Sequence, residues 1–82
     1  HLKGDRKHDI ELIVSAYEPK ILGGKRVNTI DRIDGTRIIL EDGSWVLIRF
    51  SGTEPLLRIY AEASSPKDVA LLIHEIGEFI NI

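Results

Sequence analysis

Two Asp-Gly pairs in the middle of the chain restrict its possible folds more than any other feature of the sequence. Asp34-Gly35 and Asp42-Gly43 lie eight residues apart, and β-branched and apolar residues flank both pairs. An Asp-Gly pair tolerates the positive φ angles that tight hairpin turns require. The sequence therefore predicts two consecutive hairpins, with strands near residues 26–33, 36–41 and 44–50.

A fourth strand is predicted over residues 56–63, after the turn sequence Ser51-Gly52-Thr53-Glu54-Pro55. The connections between these strands are short and contain no helical pattern. Because parallel strands need a long crossover connection, the short connections predict an antiparallel meander.

The spacing of apolar residues predicts a first helix from about residue 6 to residue 18. Its apolar stripe comprises Ile10, Ile13, Val14 and Tyr17, and Pro19 cannot continue the helix. Residues 1–8 are polar, and we expect them to form a linker or a frayed strand.

A second helix is predicted after Ser65, which is a preferred N-cap residue. Pro66 suits the first helical position, and Asp68 places a negative charge in the first turn. The apolar stripe of this helix comprises Val69, Leu72, Ile73, Ile76 and Ile80. Its expected water-facing residues are His74, Glu75 and Glu78. Gly77 in the helix interior is expected to reflect close packing, with simple tolerance of a glycine as the alternative.

Composition restricts the class of protein. The 82 residues include 13 Ile, nine Leu and four Val, enough for the core of one small domain. The chain has no long apolar run, and the sequence therefore excludes a transmembrane protein. A formal charge of −2 argues against a nucleic-acid module. The absence of cysteine excludes disulfides, thiol catalysis and cysteine-ligated zinc, and fits the cytoplasmic location that we expect. Helix, four strands and helix together predict an α+β domain with both helices on one face of an antiparallel sheet.

Binding chemistry is expected at the turn between the last two strands. Strand alternation places Arg49 and Arg58 on the face away from the core, on either side of this turn. Ser51 and Thr53 add hydroxyl groups, and Gly52 lets successive backbone N–H groups point into one concavity. Since guanidinium groups match pairs of phosphate oxygens, the pattern predicts a site that holds phosphate without cleaving it. The alternative is an ordinary turn whose hydroxyls bond their own backbone.

The same segment resembles a known family. Residues 49–55, Arg-Phe-Ser-Gly-Thr-Glu-Pro, are followed by Leu-Leu-Arg-Ile-Tyr-Ala-Glu-Ala. This run resembles the signature of the α-D-phosphohexomutases, whose final domain carries an Arg-x-Ser-Gly-Thr-Glu-Pro loop. Residues 33–36 and 42–47 are similar to hairpin strands of that domain, and the resemblance covers most of residues 25–80.

The resemblance implies the C-terminal, fourth domain of a phosphoglucomutase or phosphomannomutase, with a TATA-binding-protein-like fold. It implies a first strand that lies within residues 2–5 or is missing. The residues that would hold the non-reacting phosphate of a hexose phosphate are Arg49, Ser51, Gly52, Thr53 and Arg58. The phosphoserine, magnesium and sugar-selecting loops would belong to the three other domains, the expected partners of this one. The isolated chain would therefore bind no metal and catalyse nothing.

Two alternatives stay open at this point. The chain could be a stand-alone module that binds protein or another ligand through its sheet face, or the parent enzyme could act on an amino-sugar phosphate. Trp45 is expected to be packed and partly buried, with stacking on a sugar as the alternative. The spacing of the three histidines predicts no metal site.

Overall fold

A computed structural model describes the backbone of residues 4–50 and 57–80, which form two helices and five strands. The elements are α1 (Gly4–Ser15), β1 (Ile21–Leu22), β2 (Lys25–Asp31), β3 (Thr36–Leu40), β4 (Trp45–Phe50), β5 (Leu57–Glu62) and α2 (Pro66–Ile80). Neither described helix has the length and hydrophobicity that a membrane-spanning helix needs.

The five strands form one antiparallel sheet in the order β1-β2-β3-β4-β5, so each strand pairs with its neighbour in sequence. The predicted meander and the α+β, TATA-binding-protein-like fold are confirmed. The structure adds β1, a two-residue strand that the sequence pattern did not reveal. Gly23 and Gly24, at φ 59° and 77°, form the turn that folds β1 back onto β2.

Both predicted Asp-Gly turns are present. Gly35 and Gly43 have φ angles of 122° and 90°, a region that residues with a Cβ atom rarely adopt. In the second turn the Ser44 N–H donates to Asp42 Oδ1 at 2.9 Å, and the Leu40 N–H donates to the Ser44 carbonyl at 2.7 Å. These bonds satisfy the backbone of the turn and set the register of β3 against β4.

One face of the sheet carries the core, and both helices pack on that face. The sheet contributes Ile38, Leu40, Val46 and Ile48, all at most 1% exposed. The helices contribute Ile10 and Val14 from α1 and Leu72, Ile76 and Ile80 from α2. The other side of the sheet, which we call the open face, has no described helix against it.

The first helix differs from its prediction at both ends. It begins at Gly4, so residues 4–8 are helical and form neither the predicted linker nor the predicted strand. Residues 2 and 3, where that strand would begin, lie outside the described part. Residues 4–9 contain no β-branched or aromatic side chain of the kind that favours strands. The predicted apolar stripe is wrong at Ile13, because this side chain is 43% exposed.

The C-terminal end of α1 is held by an arginine from a distant loop. Arg32 donates to the carbonyl oxygens of Val14 at 3.4 Å and of Tyr17, two residues beyond the helix, at 2.8 Å. The Val14 carbonyl also accepts the Tyr17 N–H at 3.2 Å and the Thr36 hydroxyl at 3.1 Å. The cation also lies where the helix dipole is negative. The helix ends at Ser15, three residues before the predicted end, and Arg32 binds the carbonyl groups on either side of that residue.

The second helix matches its prediction at the N-terminus, but its predicted apolar stripe is wrong at Ile73, which is 39% exposed. Ser65 Oγ accepts the Asp68 N–H at 3.2 Å, which confirms the predicted cap. Glu75 was expected to face water, but it is half-buried because its Oε1 accepts the Gly23 N–H at 3.2 Å. The expectation of close packing at Gly77 is wrong and the alternative of simple tolerance fits, because a Cβ atom there would meet no described atom within 4 Å apart from its chain neighbours and the backbone of its own helix.

Candidate phosphate-binding site

The antiparallel pairing of β4 and β5 places Arg49 directly opposite Arg58. Directly opposite residues of an antiparallel pair share one face, with Cβ atoms about 4.5–5.5 Å apart. Both arginines are exposed and lie on the open face, because the alternate residues Ile48 and Ile59 pack on the core side. The two arginine side chains therefore start from neighbouring positions on the same face of the sheet.

Two like charges directly opposite each other on a sheet repel and destabilise the pair. Among the residues that the structure describes, no carboxylate lies within 4 Å of either guanidinium group. An anion bound between Arg49 and Arg58 would replace that repulsion with two charge-assisted interactions. The electrostatics of the pair favour an anionic ligand.

The loop that follows Arg49 supplies the remaining predicted ligands. Ser51, Gly52 and Thr53 lie outside the described residues, and their role stays a prediction. The base of the loop is defined, since Phe50 and Leu57 are opposite each other in the β4–β5 ladder. Residues 51–56 therefore connect two adjacent strands just beyond the arginine pair.

Gly35, from the turn between β2 and β3, approaches the site closely. A Cβ atom on Gly35 would meet the carbonyl oxygen of Ile48 and would lie 3.2 Å from the Cα atom of Arg49. The turn thus packs on the backbone that carries one of the two arginines. The sequence identified Gly35 as a turn residue, and no local signal indicated this long-range contact.

The open face next to the arginine pair carries aromatic and apolar side chains. Moving along β4 and β5, the next pair is Leu47 opposite Tyr60, followed by Trp45 opposite Glu62. The indole Nε1 of Trp45 donates to Glu62 Oε2 at 2.9 Å, and the Arg37 guanidinium lies 5.8 Å from the centre of the ring. Trp45 is half-buried, so the predicted partial burial is confirmed.

A separate cavity of about 320 Å³ lies on the core side of the same end of the sheet. It is bordered by α1, by the β2–β3 turn and by Phe50. Within it, the hydroxyl of Thr36 donates to the Val14 carbonyl at 3.1 Å and accepts from Arg32 at 3.1 Å. These groups are already paired with each other, so the cavity offers an arriving ligand few free donors.

Metal ligands are not grouped in the part of the chain that the structure describes. Over the described side chains, those of residues 8–50 and 57–80, no three His, Asp or Glu groups converge as metal ligands would. His74 instead lies 3.3 Å from Glu78, one helical turn further along α2. The turn residues Asp42 and Asp31 accept backbone N–H groups from Ser44 and Ile33, as expected of aspartates in turns.

Comparison with known proteins places the chain in a family. Residues 5–78 match the family described as phosphoglucomutase/phosphomannomutase, C-terminal domain. A phosphoglucomutase/phosphomannomutase of Thermococcus kodakarensis is 49% identical over 65 residues, which cover 79% of this chain and 13% of the relative. A probable phosphoglucosamine mutase of Methanosphaera stadtmanae is 49% identical over 76 residues, which cover 93% of this chain and 16% of the relative.

A shorter match adds a third kind of mutase. A phosphopentomutase of Thermococcus kodakarensis is 63% identical over 35 residues, which cover 43% of this chain and 8% of the relative. The chain spans 13% to 16% of the length of the first three curated relatives that it matches. Because the family match covers most of the chain, this protein belongs to the phosphoglucomutase/phosphomannomutase C-terminal domain family.

Proposed function

We propose that this domain holds a phosphate group of the substrate in a mutase that interconverts hexose 1-phosphate and hexose 6-phosphate. The observation that carries the proposal is the placement of Arg49 directly opposite Arg58 on the open face. The proposed ligands are these two side chains together with Ser51, Gly52 and Thr53. In this assignment the bound phosphate is the one that is not reacting.

The chemistry of the proposed ligands fits binding and not cleavage. Each guanidinium group offers two parallel N–H donors to a phosphate, and each such charge-assisted bond contributes about 1.5–3 kcal/mol. A dianion held here and by other domains would favour a closed enzyme that excludes water from the transfer. We assign the reacting phosphoserine and a magnesium ion to three further domains of a larger cytoplasmic enzyme, so this chain alone would not catalyse the reaction.

The substrate class is narrowed only by the names of the relatives. Relatives of similar identity are named as mutases of phosphoglucose or phosphomannose and of phosphoglucosamine. We propose a hexose phosphate as the ligand, and an amino-sugar phosphate is the second candidate. The phosphate site described above serves both, because it contacts the group that they share.

The proposal is tested by titrating the chain with inorganic phosphate and following backbone amide shifts by NMR. We expect shifts confined to residues 49–58, with a dissociation constant on the order of millimolar because one site must offset the entropy of association. Arg49→Ala and Arg58→Ala should each weaken binding by about tenfold or more. Arg26→Ala, an exposed arginine near the other edge of the sheet, serves as the matched control.

Two results would contradict the proposal. Unchanged affinity in both arginine variants would remove Arg49 and Arg58 from the site. Shifts spread over the whole sheet would favour the alternative of an interaction module that binds through its open face.

A further inference from the structure

The open face continues the arginine pair with an exposed aromatic side chain. Tyr60 lies two residues beyond Arg58 on the same face of β5, about 6.6 Å along the strand. It is 42% exposed, so a large part of its ring is accessible to a ligand. Leu47, directly opposite on β4, is half-buried and extends the apolar surface beside the ring.

The far side of this surface is closed by groups that already have partners. Trp45 and Glu62, joined by their hydrogen bond, form a border one strand pair beyond Tyr60. Arg37 of β3 is opposite Leu47, and its guanidinium group lies over the Trp45 ring. Between this border and the arginine pair lie Leu47 and Tyr60. This part of the open face therefore has a cationic end, an apolar and aromatic middle, and a polar border.

We propose that Tyr60 and Leu47 form the surface on which the ring of a phosphorylated hexose packs while Arg49 and Arg58 hold its phosphate. This inference rests on the proposed function and adds a positioning residue to it. The charges are complementary, because a phosphate dianion faces two cations that have no described carboxylate partner. In this arrangement the sugar ring lies over the pair Leu47 and Tyr60, and the C–H groups on one face of the sugar contact the aromatic ring of Tyr60.

The phenol also suits the polar edge of a sugar. Its hydroxyl group can both donate and accept a hydrogen bond, and an exposed tyrosine keeps that group in reach of a ligand hydroxyl. A small phosphate ester without a ring would be held by the arginine pair and would not reach across to Tyr60. The predicted contribution of Tyr60 is therefore specific to ligands that carry a ring.

The test compares three probes by NMR titration of the chain: glucose 6-phosphate, glycerol 3-phosphate and inorganic phosphate. Tyr60→Ala should weaken glucose 6-phosphate binding between about twofold and tenfold, the range expected for a lost aromatic contact. Binding of the two probes without a ring should not change. Tyr60→Phe keeps the ring and removes only the hydroxyl group, so it should weaken glucose 6-phosphate binding less than Tyr60→Ala does. Saturation of the Tyr60 ring protons should transfer to the sugar C–H protons of the wild-type complex.

Two further variants keep the test decisive. Tyr60→Leu keeps an apolar side chain on the strand without a flat ring, and should show the same selective loss even where Tyr60→Ala unfolds the sheet. Leu71→Ala removes an apolar side chain of similar exposure from α2, at 43%, and should leave all three affinities unchanged.

The outcomes separate this inference from the proposed function. If the chain binds all three probes equally well and Tyr60→Ala and Tyr60→Leu change none of them, the role of Tyr60 is refuted while the phosphate site stands. If no probe binds, both proposals are overturned. A Tyr60→Ala loss that is equal for all three probes would indicate disruption of the strands and would also refute the ring contact.

Discussion

At the scale of single residues, the glycines of the two predicted turns are required for different reasons. Gly43 needs a positive φ and has open space around its Cα atom, so only backbone strain opposes a side chain there. Gly35 needs a positive φ and also lies against the backbone of Ile48 and Arg49. Turn chemistry identifies both glycines in the sequence, but only the folded structure distinguishes them.

Replacing Gly35 by alanine should therefore destabilise the chain more than replacing Gly43. For Gly43→Ala we expect a loss of about 1–2 kcal/mol in the free energy of unfolding, the cost of a left-handed backbone conformation for a residue with a Cβ atom. For Gly35→Ala the loss should be larger, because the β2–β3 turn must also move away from β4. Urea unfolding followed by circular dichroism measures both, and equal losses would contradict the close approach.

At the scale of elements, the helix ends show which contacts local sequence can predict. The cap of α2 comes from Ser65, three residues before its partner Asp68, and the local pattern was sufficient to identify it. The cap of α1 comes from Arg32, 15 and 18 residues away from the carbonyl groups that it binds. A pattern read along the chain contains no signal for such a contact, and the sequence therefore predicts a helix that is three residues longer at this end.

Arg32→Ala should lower the free energy of unfolding by about 1–2 kcal/mol, since it leaves the carbonyls of Val14 and Tyr17 and the buried Thr36 hydroxyl with fewer partners. Amide exchange in the last turn of α1 should rise as the helix end opens. Glu18→Ala is the control, because it removes only an exposed ion pair of 3.7 Å and leaves the cap in place. Equal effects of the two changes would mean that the ion pair, and not the cap, holds this end.

At the scale of the whole molecule, the two helices cover one face of the sheet and leave the arginine pair on the other. At one edge, ion pairs between three parts of the chain connect the sheet to α2. Lys25 Nζ of β2 lies 2.9 Å from Asp42 in the β3–β4 turn and 3.7 Å from Asp68 in α2. The backbone N–H of Ser44 and the ammonium of Lys25 lower the pKa of Asp42 to about 2 from its ordinary value of 3.8.

This shift predicts how stability depends on pH. Because the pKa of Asp42 is lower in the folded state than in the unfolded chain, its contribution is complete above about pH 4 and is lost as the pH falls towards 2. The urea midpoint should fall over that interval, and Asp42→Asn should make it fall less steeply. Asp34→Asn, the same change in the other Asp-Gly turn, is the control. A pH profile that Asp42→Asn leaves unaltered would contradict the assignment.

The sequence alone determined the features that depend on neighbours along the chain. Period-two alternation assigned Arg49 and Arg58 to the face away from the core, and the Asp-Gly turns led to an antiparallel meander. The tertiary structure decided which residues lie opposite or against each other: Arg49 opposite Arg58, and Gly35 against β4. These contacts depend on strand register and on how separate segments pack, and both are set by the burial of one shared core.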